Sequence, residues 1–182
     1  GVFSDCTKLS EINVDGNNQY YTAIDGVLFN KNCTELYVYP AGKTEGSYAV
    51  PSGVTKLKNN VFEKSQLSVI TLPLSLTNIG DNAFYDCGLS TVNLPNSVIS
   101  IGDKAFYSCN SMTDIDIPNS VISIGSNAFG DCNNLSNVHI NDIAKWCEIK
   151  FNSSGSNPLY YADNLYVNGQ LIEGVLKLDK IN

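Results

Sequence analysis

The only histidine of the chain, His139, lies near acidic residues in a pattern that could support chemistry. It occurs in SNVHI, and Asp114 and Asp116 occur in the similar stretch TDIDI one repeat earlier. A histidine beside carboxylates can ligate a transition metal or form an acid–base pair. A catalytic centre also needs a nucleophile, an orienting partner and a pocket, and the sequence shows no such set. We therefore expect a solvated polar surface here, without enzyme activity, metal or cofactor.

Cysteine recurs at one position of a repeating pattern, in Cys87, Cys109 and Cys132. Disulfides and metal sites both use cysteine, but three equivalent residues in a row cannot all pair, and metal sites prefer C-x₂-C spacing. A buried thiol packs as a small apolar group. We therefore predict a ladder of buried thiols that starts at Cys6. Cys33 and Cys147 lie outside it, and their redox state stays open.

Composition and charge exclude several classes of partner. The net charge of −7 and the pI near 4.5 oppose binding to phosphate backbones, so we expect no nucleic-acid partner. No polybasic patch is present for a membrane surface. No apolar run approaches the roughly 18–20 residues that span a bilayer, so we expect no membrane insertion. The 43% of hydrophobic residues is ordinary for a folded domain.

An internal repeat organises most of the chain. Four prolines close short apolar runs at a constant interval that is one residue longer only at the last step: Pro51, Pro73, Pro95 and Pro118. Three glycines keep the same step: Gly80, Gly102 and Gly125. One phenylalanine per unit does so as well: Phe62, Phe84, Phe106 and Phe129. Several features in one register indicate a solenoid built from repeated units.

Each unit predicts a strand followed by a turn. Apolar and polar residues alternate in VNLP, so Val92 and Leu94 would point into a core, and the proline would end the strand. NSVISIG would turn the chain. DKAFYSC is long enough for about one helical or 3₁₀ turn, and Asp81 and Asp103 would cap that turn. Stacked units would bury an in-register ladder composed of Phe62, Phe84, Phe106, Phe129, Cys87, Cys109 and Cys132.

The two ends of the chain deviate from the repeat. We interpret residues 1–182 as one solenoid piece of a longer array, because the chain opens within a repeat. VLF and LYVY, joined by NKNCTE, predict a β-hairpin inserted at about residues 18–46. Regular repeats would occupy about 47–140. An irregular segment at about 141–173 would hold a helical turn and a hairpin at its NG pair, and 174–182 would start a further repeat.

The pattern L-x-x-V-x-L-P-x-S-V-x-x-I-G-x-x-A-F-x-x-C resembles the BspA-like, or Treponema-type, leucine-rich repeats. It matches well from residue 67 to about 140. The resemblance implies a leucine-rich-repeat solenoid, a right-handed β/α superhelix of short parallel strands with short helical or 3₁₀ turns, here with two inserted β-hairpins. Family members are often surface or secreted proteins, and several are linked to adhesion. The pattern contains no catalytic residue. The carried-over positions are structural: Leu89, Val92, Leu94, Val98, Ile101, Ala105 and Phe106.

The function that follows is recognition by a surface. We expect an extracellular or cell-surface module that binds an unknown protein or glycan, with a structural spacer as the alternative. The predicted binding surface is the outward strand row: Glu11, Asn13, Thr71, Thr91, Asn93, Asp114, Asp116, Asn137 and His139. Tyrosines cluster in the two hairpin segments, where ligand binding and hairpin packing explain them equally well: Tyr20, Tyr21, Tyr37, Tyr39, Tyr48, Tyr160, Tyr161 and Tyr166.

Overall fold

The chain winds into stacked coils in this computed structural model, which describes residues 2–3 and 5–173. The strands are β1 (Tyr21–Ile24), β2 (Val27–Asn30), β3 (Glu35–Val38), β4 (Ser47–Ala49), β5 (Lys56–Leu57), β6 (Val69–Thr71), β7 (Asn78–Ile79), β8 (Ser100–Ile101), β9 (Asp114–Asp116), β10 (Ser123–Ile124), β11 (Asn137–Ile140), β12 (Lys150–Phe151), β13 (Asn164–Val167) and β14 (Gln170–Leu171). One α-helix, α1 (Ile143–Glu148), and two 3₁₀ turns (Ser154–Ser156 and Pro158–Tyr160) complete the elements of the described residues. The predicted fold class, a leucine-rich-repeat solenoid of mostly short parallel strands with two hairpins, is confirmed, and the described residues contain little helix.

One row of strands runs along the whole stack. Its order is β1-β2-β3-β5-β7-β8-β10-β12, and the pairs from β3 onward are parallel. Ile79 lies opposite Ile101 in this row, and both are buried. The sequence predicted only a turn here, because a strand of two residues is too short to show alternation.

The second row consists of the VNLP-type segments and is interrupted. β4 pairs with β6 in one small sheet, and β9, β11, β13 and β14 form another. Residues 91–94 lie in no strand, although their burial still alternates. The interruption lies beside the step from Pro95 to Pro118, which is one residue longer than the step from Pro73 to Pro95. The predicted continuous row is therefore divided.

Four phenylalanine rings form the axis of the core. Phe62, Phe84, Phe106 and Phe129 are fully buried. Successive ring centroids lie 5.1, 5.1 and 5.4 Å apart, and neighbouring planes differ by 4°, 7° and 8°. The spacing follows from the distance of about 4.8 Å between neighbouring strands, because each coil carries one ring at the same position. The next coil towards the N-terminus contributes Tyr39, tilted by 41° against Phe62.

Each coil has a corner at its phenylalanine, such as residues 82–87 around Phe84. Backbone hydrogen bonds join this corner to the corner of the next coil. Phe84 N–H donates to the carbonyl of Ala105 at 2.7 Å, and Asp86 N–H donates to that of Tyr107 at 2.8 Å. Asn82 and Asp86 have φ angles of 51° and 52°, which turn these amides towards the neighbouring coil. Turn bonds of the 3₁₀ type do occur, as from Cys87 N–H to Phe84 O. The left-handed residues interrupt them, so no helix forms at this corner.

The turn aspartates bridge coils instead of capping their own turn. Asp81 Oδ1 accepts from the amide of Asp103 at 2.9 Å, and Asp103 Oδ1 accepts from that of Ser126 at 2.6 Å. Asn59 Oδ1 likewise accepts a hydrogen bond from the amide of Asp81 at 3.0 Å. The prediction of a local cap is wrong, because stacking places the amide of the following coil directly beside each carboxylate.

The repeated cysteines are free thiols inside the core. Cys109 donates to the carbonyl of Phe84 and Cys132 to that of Phe106, each at 3.0 Å. Burial raises the pKa of both thiols, that of Cys132 to about 12. Cys6 is exposed, so the prediction that it starts the buried ladder is wrong. Phe3, at the start of the same turn, is also 40% exposed, so the described residues do not enclose this turn in a core.

Both predicted hairpins are present, and each continues a row of the solenoid. β2 pairs with β3 antiparallel, β1 adds a third strand, and β3 then pairs with β5 in parallel. β13 and β14 flank the turn of Asn168 and Gly169, whose φ angles are 51° and 76°, while β13 pairs with β11 in parallel. Residues 174–182, where a further repeat was predicted, lie outside the described residues.

Removal of one central ring should destabilise the stack strongly. We expect Phe106→Ala to lower the free energy of unfolding by about 3–5 kcal/mol, because it deletes a fully buried ring and leaves a cavity. Phe106→Leu, which keeps an apolar side chain, should cost less, and Tyr20→Ala on the surface should change little. Denaturant titration measures all three. A loss below about 1 kcal/mol for the alanine variant would contradict a core role.

The bridging aspartates make a separate prediction. Asp103→Ala should lower the free energy of unfolding by about 1 kcal/mol, because the amide of Ser126 loses its acceptor. Asp103→Asn keeps an acceptor oxygen in the same place and should retain most of the stability. Denaturant titration compares the two, and equal losses would show that the carboxylate does not act as this acceptor.

Thiol reactivity reports on the cysteine ladder. In denaturant without reductant, a thiol reagent should titrate all 6 cysteines. In the folded protein near neutral pH, Cys6 should react first, while Cys87, Cys109 and Cys132 should stay unreactive, because burial both shields them and raises their pKa. If the number of thiols that react in denaturant were lower by two, the protein would contain a disulfide, and the free-thiol ladder would be disproved.

Candidate functional site

The candidate site is the outward side of β9, β11 and β13. We call it the polar strand face, and it comprises Asp114, Asp116, Asn137, His139, Asn164 and Tyr166. Parallel register forms two columns, Asp114–Asn137–Asn164 and Asp116–His139–Tyr166. The intervening Ile115 and Val138 are buried, so the strands present one apolar and one polar side.

Asp114 is the centre of the hydrogen bonds on this face. Its carboxylate accepts from Thr113 Oγ1 at 2.6 Å and from Asn137 Nδ2 at 2.7 Å. His139 Nε2 lies 3.3 Å from Asp114 Oδ1, within reach of a third bond when that nitrogen carries its proton. The Thr113 hydroxyl, followed by Asn137 and His139, holds the pKa of Asp114 below its usual value, against an opposing contribution from partial burial. The face therefore keeps a fixed negative charge at neutral pH.

A ring stack and an amide ladder fix the rest of the face. The rings of His139 and Tyr166 lie 4.6 Å apart at an interplanar angle of 17°. Asn164 Nδ2 donates to Asn137 Oδ1 at 2.9 Å, which extends the chain of hydrogen bonds from β13 to β9. Side chains held in this way lose little conformational freedom when a partner binds.

The structure brings together only part of the predicted row. Asp114, Asp116, Asn137 and His139 share one sheet. The others are not part of that sheet: Thr71 is at the end of β6, Thr91 and Asn93 are in the segment outside any strand, and Glu11 and Asn13 are in the exposed N-terminal segment. His139 was expected to lie between Asp116 and Asn93. Asp116 is its register partner, whereas Asn93 is not part of the sheet, because residues 91–94 belong to no strand.

Asn164 and Tyr166 complete the face, although the repeat did not reveal their place. The distance along the chain from their register partners, Asn137 and His139, is several residues longer than the interval between the regular prolines. α1, which lies between β11 and β12, supplies the additional length, because the chain from β12 to β13 is as long as that from β10 to β11. The only available signal was the strand-like LYV before the NG pair. Other tyrosines of the same group serve packing, since Tyr39 is buried and contacts Tyr48 at 5.0 Å.

The chemistry of the face suits recognition. In the described part of the chain, no group of three or more His, Cys, Asp and Glu side chains is placed to hold a metal ion. The residues that the structure describes also contain no helix with the length and apolarity needed to cross a bilayer. What the face offers is fixed carboxylate and amide groups beside an aromatic ring, which is the composition of many binding surfaces.

Known proteins share this architecture. The pneumococcal vaccine antigen PcpA is 27% identical over 81% of this chain and 41% of its own, with a TM-score of 0.71. A leucine rich cell surface protein from Faecalibacterium prausnitzii is 26% identical over 93% of this chain and 44% of its own, with a TM-score of 0.79. A leucine-rich repeat protein from Eubacterium ventriosum is 28% identical over 83% and 44%, with a TM-score of 0.71. This chain thus spans less than half of each.

The sequence also matches a family model directly. The BspA type leucine rich repeat region matches residues 37–157 in 6 copies, about two thirds of the chain. No curated protein matches the sequence. The family match covers β4 to β12, the part in which the phenylalanine ladder and the parallel row are most regular. Because the repeat pattern, the stacked coils and the family match coincide, the chain belongs to the BspA-type leucine-rich repeat family.

Proposed function

We propose that this chain is the ligand-binding repeat module of an extracellular or cell-surface bacterial protein, and that the polar strand face binds its protein or glycan partner. The observation that carries the proposal is the ordered arrangement of Asp114, Asn137 and Asn164 beside the stacked rings of His139 and Tyr166. Partly exposed tyrosine is favoured at the centre of binding surfaces. Pre-ordered polar groups reduce the entropy lost on binding.

The location is supported by relatives and is compatible with the thiols. One structural relative is a vaccine antigen, and another is described as a cell surface protein. A surface protein with free cysteines must protect them from oxidation. Burial does so for Cys87, Cys109 and Cys132, whose raised pKa also keeps them as unreactive thiols.

A spacer role is the second candidate, and the continuity of the stack favours it. Hydrogen bonds between coils recur from Asn60 to Ser108 at the phenylalanine corner, and the bridging aspartates reinforce them. Such a stack would hold another domain at a fixed distance without binding anything itself. The two candidates differ in one respect, because only the binding module requires the polar strand face to contact a ligand.

A binding array followed by one substitution tests the proposal. The chain is applied to arrays of glycans and extracellular matrix proteins, and each positive ligand is titrated. Tyr166→Ala should weaken binding by at least about fivefold, because truncation of a central aromatic residue commonly costs more than about 1 kcal/mol. Tyr160→Ala is the matched control, since Tyr160 is 68% exposed but lies outside the polar strand face.

The outcomes separate the two candidates. Equal affinities for the wild type, Tyr166→Ala and Tyr160→Ala would show that the polar strand face is not the binding surface. The absence of any ligand on arrays that detect control lectins and adhesins would favour the spacer. The unfolding midpoint of Tyr166→Ala is measured in parallel, so that a loss of binding is assigned to the face only when the variant remains folded.

A further inference from the structure

The parallel stack of phenylalanine rings ends at Phe62 on its N-terminal side. Phe62 is followed by Tyr39, which is tilted by 41° and does not continue the parallel stack. Phe3 lies at the equivalent corner of the coil that precedes the coil of Tyr39. This equivalence follows from the hydrogen bond from Cys6 N–H to Phe3 O at 3.2 Å, which corresponds to the bond from Cys87 N–H to Phe84 O. In the coil between these two corners, Tyr39 takes the place of the phenylalanine, and its buried ring is tilted out of the parallel stack.

The coil that carries Tyr39 has a shortened corner. Leu36 is in register with Leu57, and Ser68 N–H donates to the carbonyl of Gly46, so the corner is one residue shorter in this coil than in the next. Of the described residues in this corner, Tyr39 alone bonds through its N–H to the next corner, at Val61 O, whereas Phe84 and its neighbours make several such bonds. The backbone of this corner therefore does not follow that of the next corner residue by residue, as it does in the regular coils.

A cavity of about 610 Å³ lies beside the shortened corner. Its size is within the range of about 300–1,000 Å³ for small-molecule sites. Four aromatic residues are among those that line it: Phe3, Tyr21, Tyr37 and Tyr39. Tyr21 and Tyr37 meet edge to face with centroids 5.4 Å apart, so part of this wall is already packed in place.

The charged groups beside the cavity are already paired. Lys64 and Asp5 form an ion pair that links the corners on its two sides. Lys58 lies 3.6 Å from Glu35 and 5.2 Å above the ring of Tyr37. The Tyr37 hydroxyl donates to Glu35 at 3.2 Å. These groups therefore offer no unpaired charge to a ligand, and the apolar walls dominate its recognition.

We propose that this cavity is a binding site for a planar aromatic small molecule. The ring would lie in the space beside the shortened corner, against the aromatic side chains that line the cavity. The walls select the ligand by shape, because stacked and edge-to-face contacts favour a flat ring over a saturated one of the same size. The site lies outside the polar strand face, so it is independent of the proposed adhesive function.

A pair of matched probes tests the proposal on the intact chain. 2-Naphthol and its saturated analogue, decahydro-2-naphthol, have the same carbon skeleton but differ in planarity. We expect 2-naphthol to bind more tightly and to shift the NMR signals of Leu9, Leu28 and Ala41, which line the cavity. Equal affinity of the two probes, or shifts spread over the whole surface, would overturn the aromatic assignment.

Two substitutions locate the binding. Tyr21→Ala should weaken 2-naphthol binding about three- to tenfold, because it removes one aromatic wall. Tyr20→Ala is the matched control, since Tyr20 is 75% exposed and does not line the cavity. Ala41→Phe should abolish binding by filling the space. Unchanged binding in folded Tyr21→Ala, or no binding of 2-naphthol by the wild type near its solubility limit, would disprove the site.

Discussion

The structure depends on each coil lying in register on the next. Backbone hydrogen bonds join consecutive coils at the strands and at the corners, as between Phe84 and Ala105. A single unit cannot bury its own apolar positions, so the coil gains a core only from its neighbours. The left-handed residues Asn82 and Asp86 fit this requirement, because their unfavourable φ angles turn amides towards the adjacent coil, where they find acceptors.

Because the coils are in register, a residue that recurs in every coil forms a continuous column along the stack. A phenylalanine in each coil becomes an aromatic axis, and a cysteine becomes a column of shielded thiols. On the outside, Asp114, Asn137 and Asn164 become a hydrogen-bonded line. The same spacing thus stabilises the interior and orders the surface, and a rigid extended surface is what repeat proteins use for recognition.

Functional candidates occur where the repeat becomes irregular. The polar strand face includes β13, which follows a coil longer than the regular repeat, and the additional segment carries Tyr166 to its place beside His139. The aromatic cavity lies beside a corner that is one residue shorter than the next. A regular array satisfies its own contacts, so deviations in coil length are the places where side chains and space remain for other molecules.

The sequence by itself determined the repeat, the solenoid, the inward positions of residues such as Val92 and Phe106, and both hairpins, because periodicity and turn residues are local signals. Only the tertiary structure decided the contacts that cross from coil to coil. Asp103 caps the amide of Ser126, and His139 meets Asp114 and Tyr166, because coil lengths set which residues become neighbours. Cys6 shares the spacing of the ladder but not its burial, since a core position also needs covering neighbours in space.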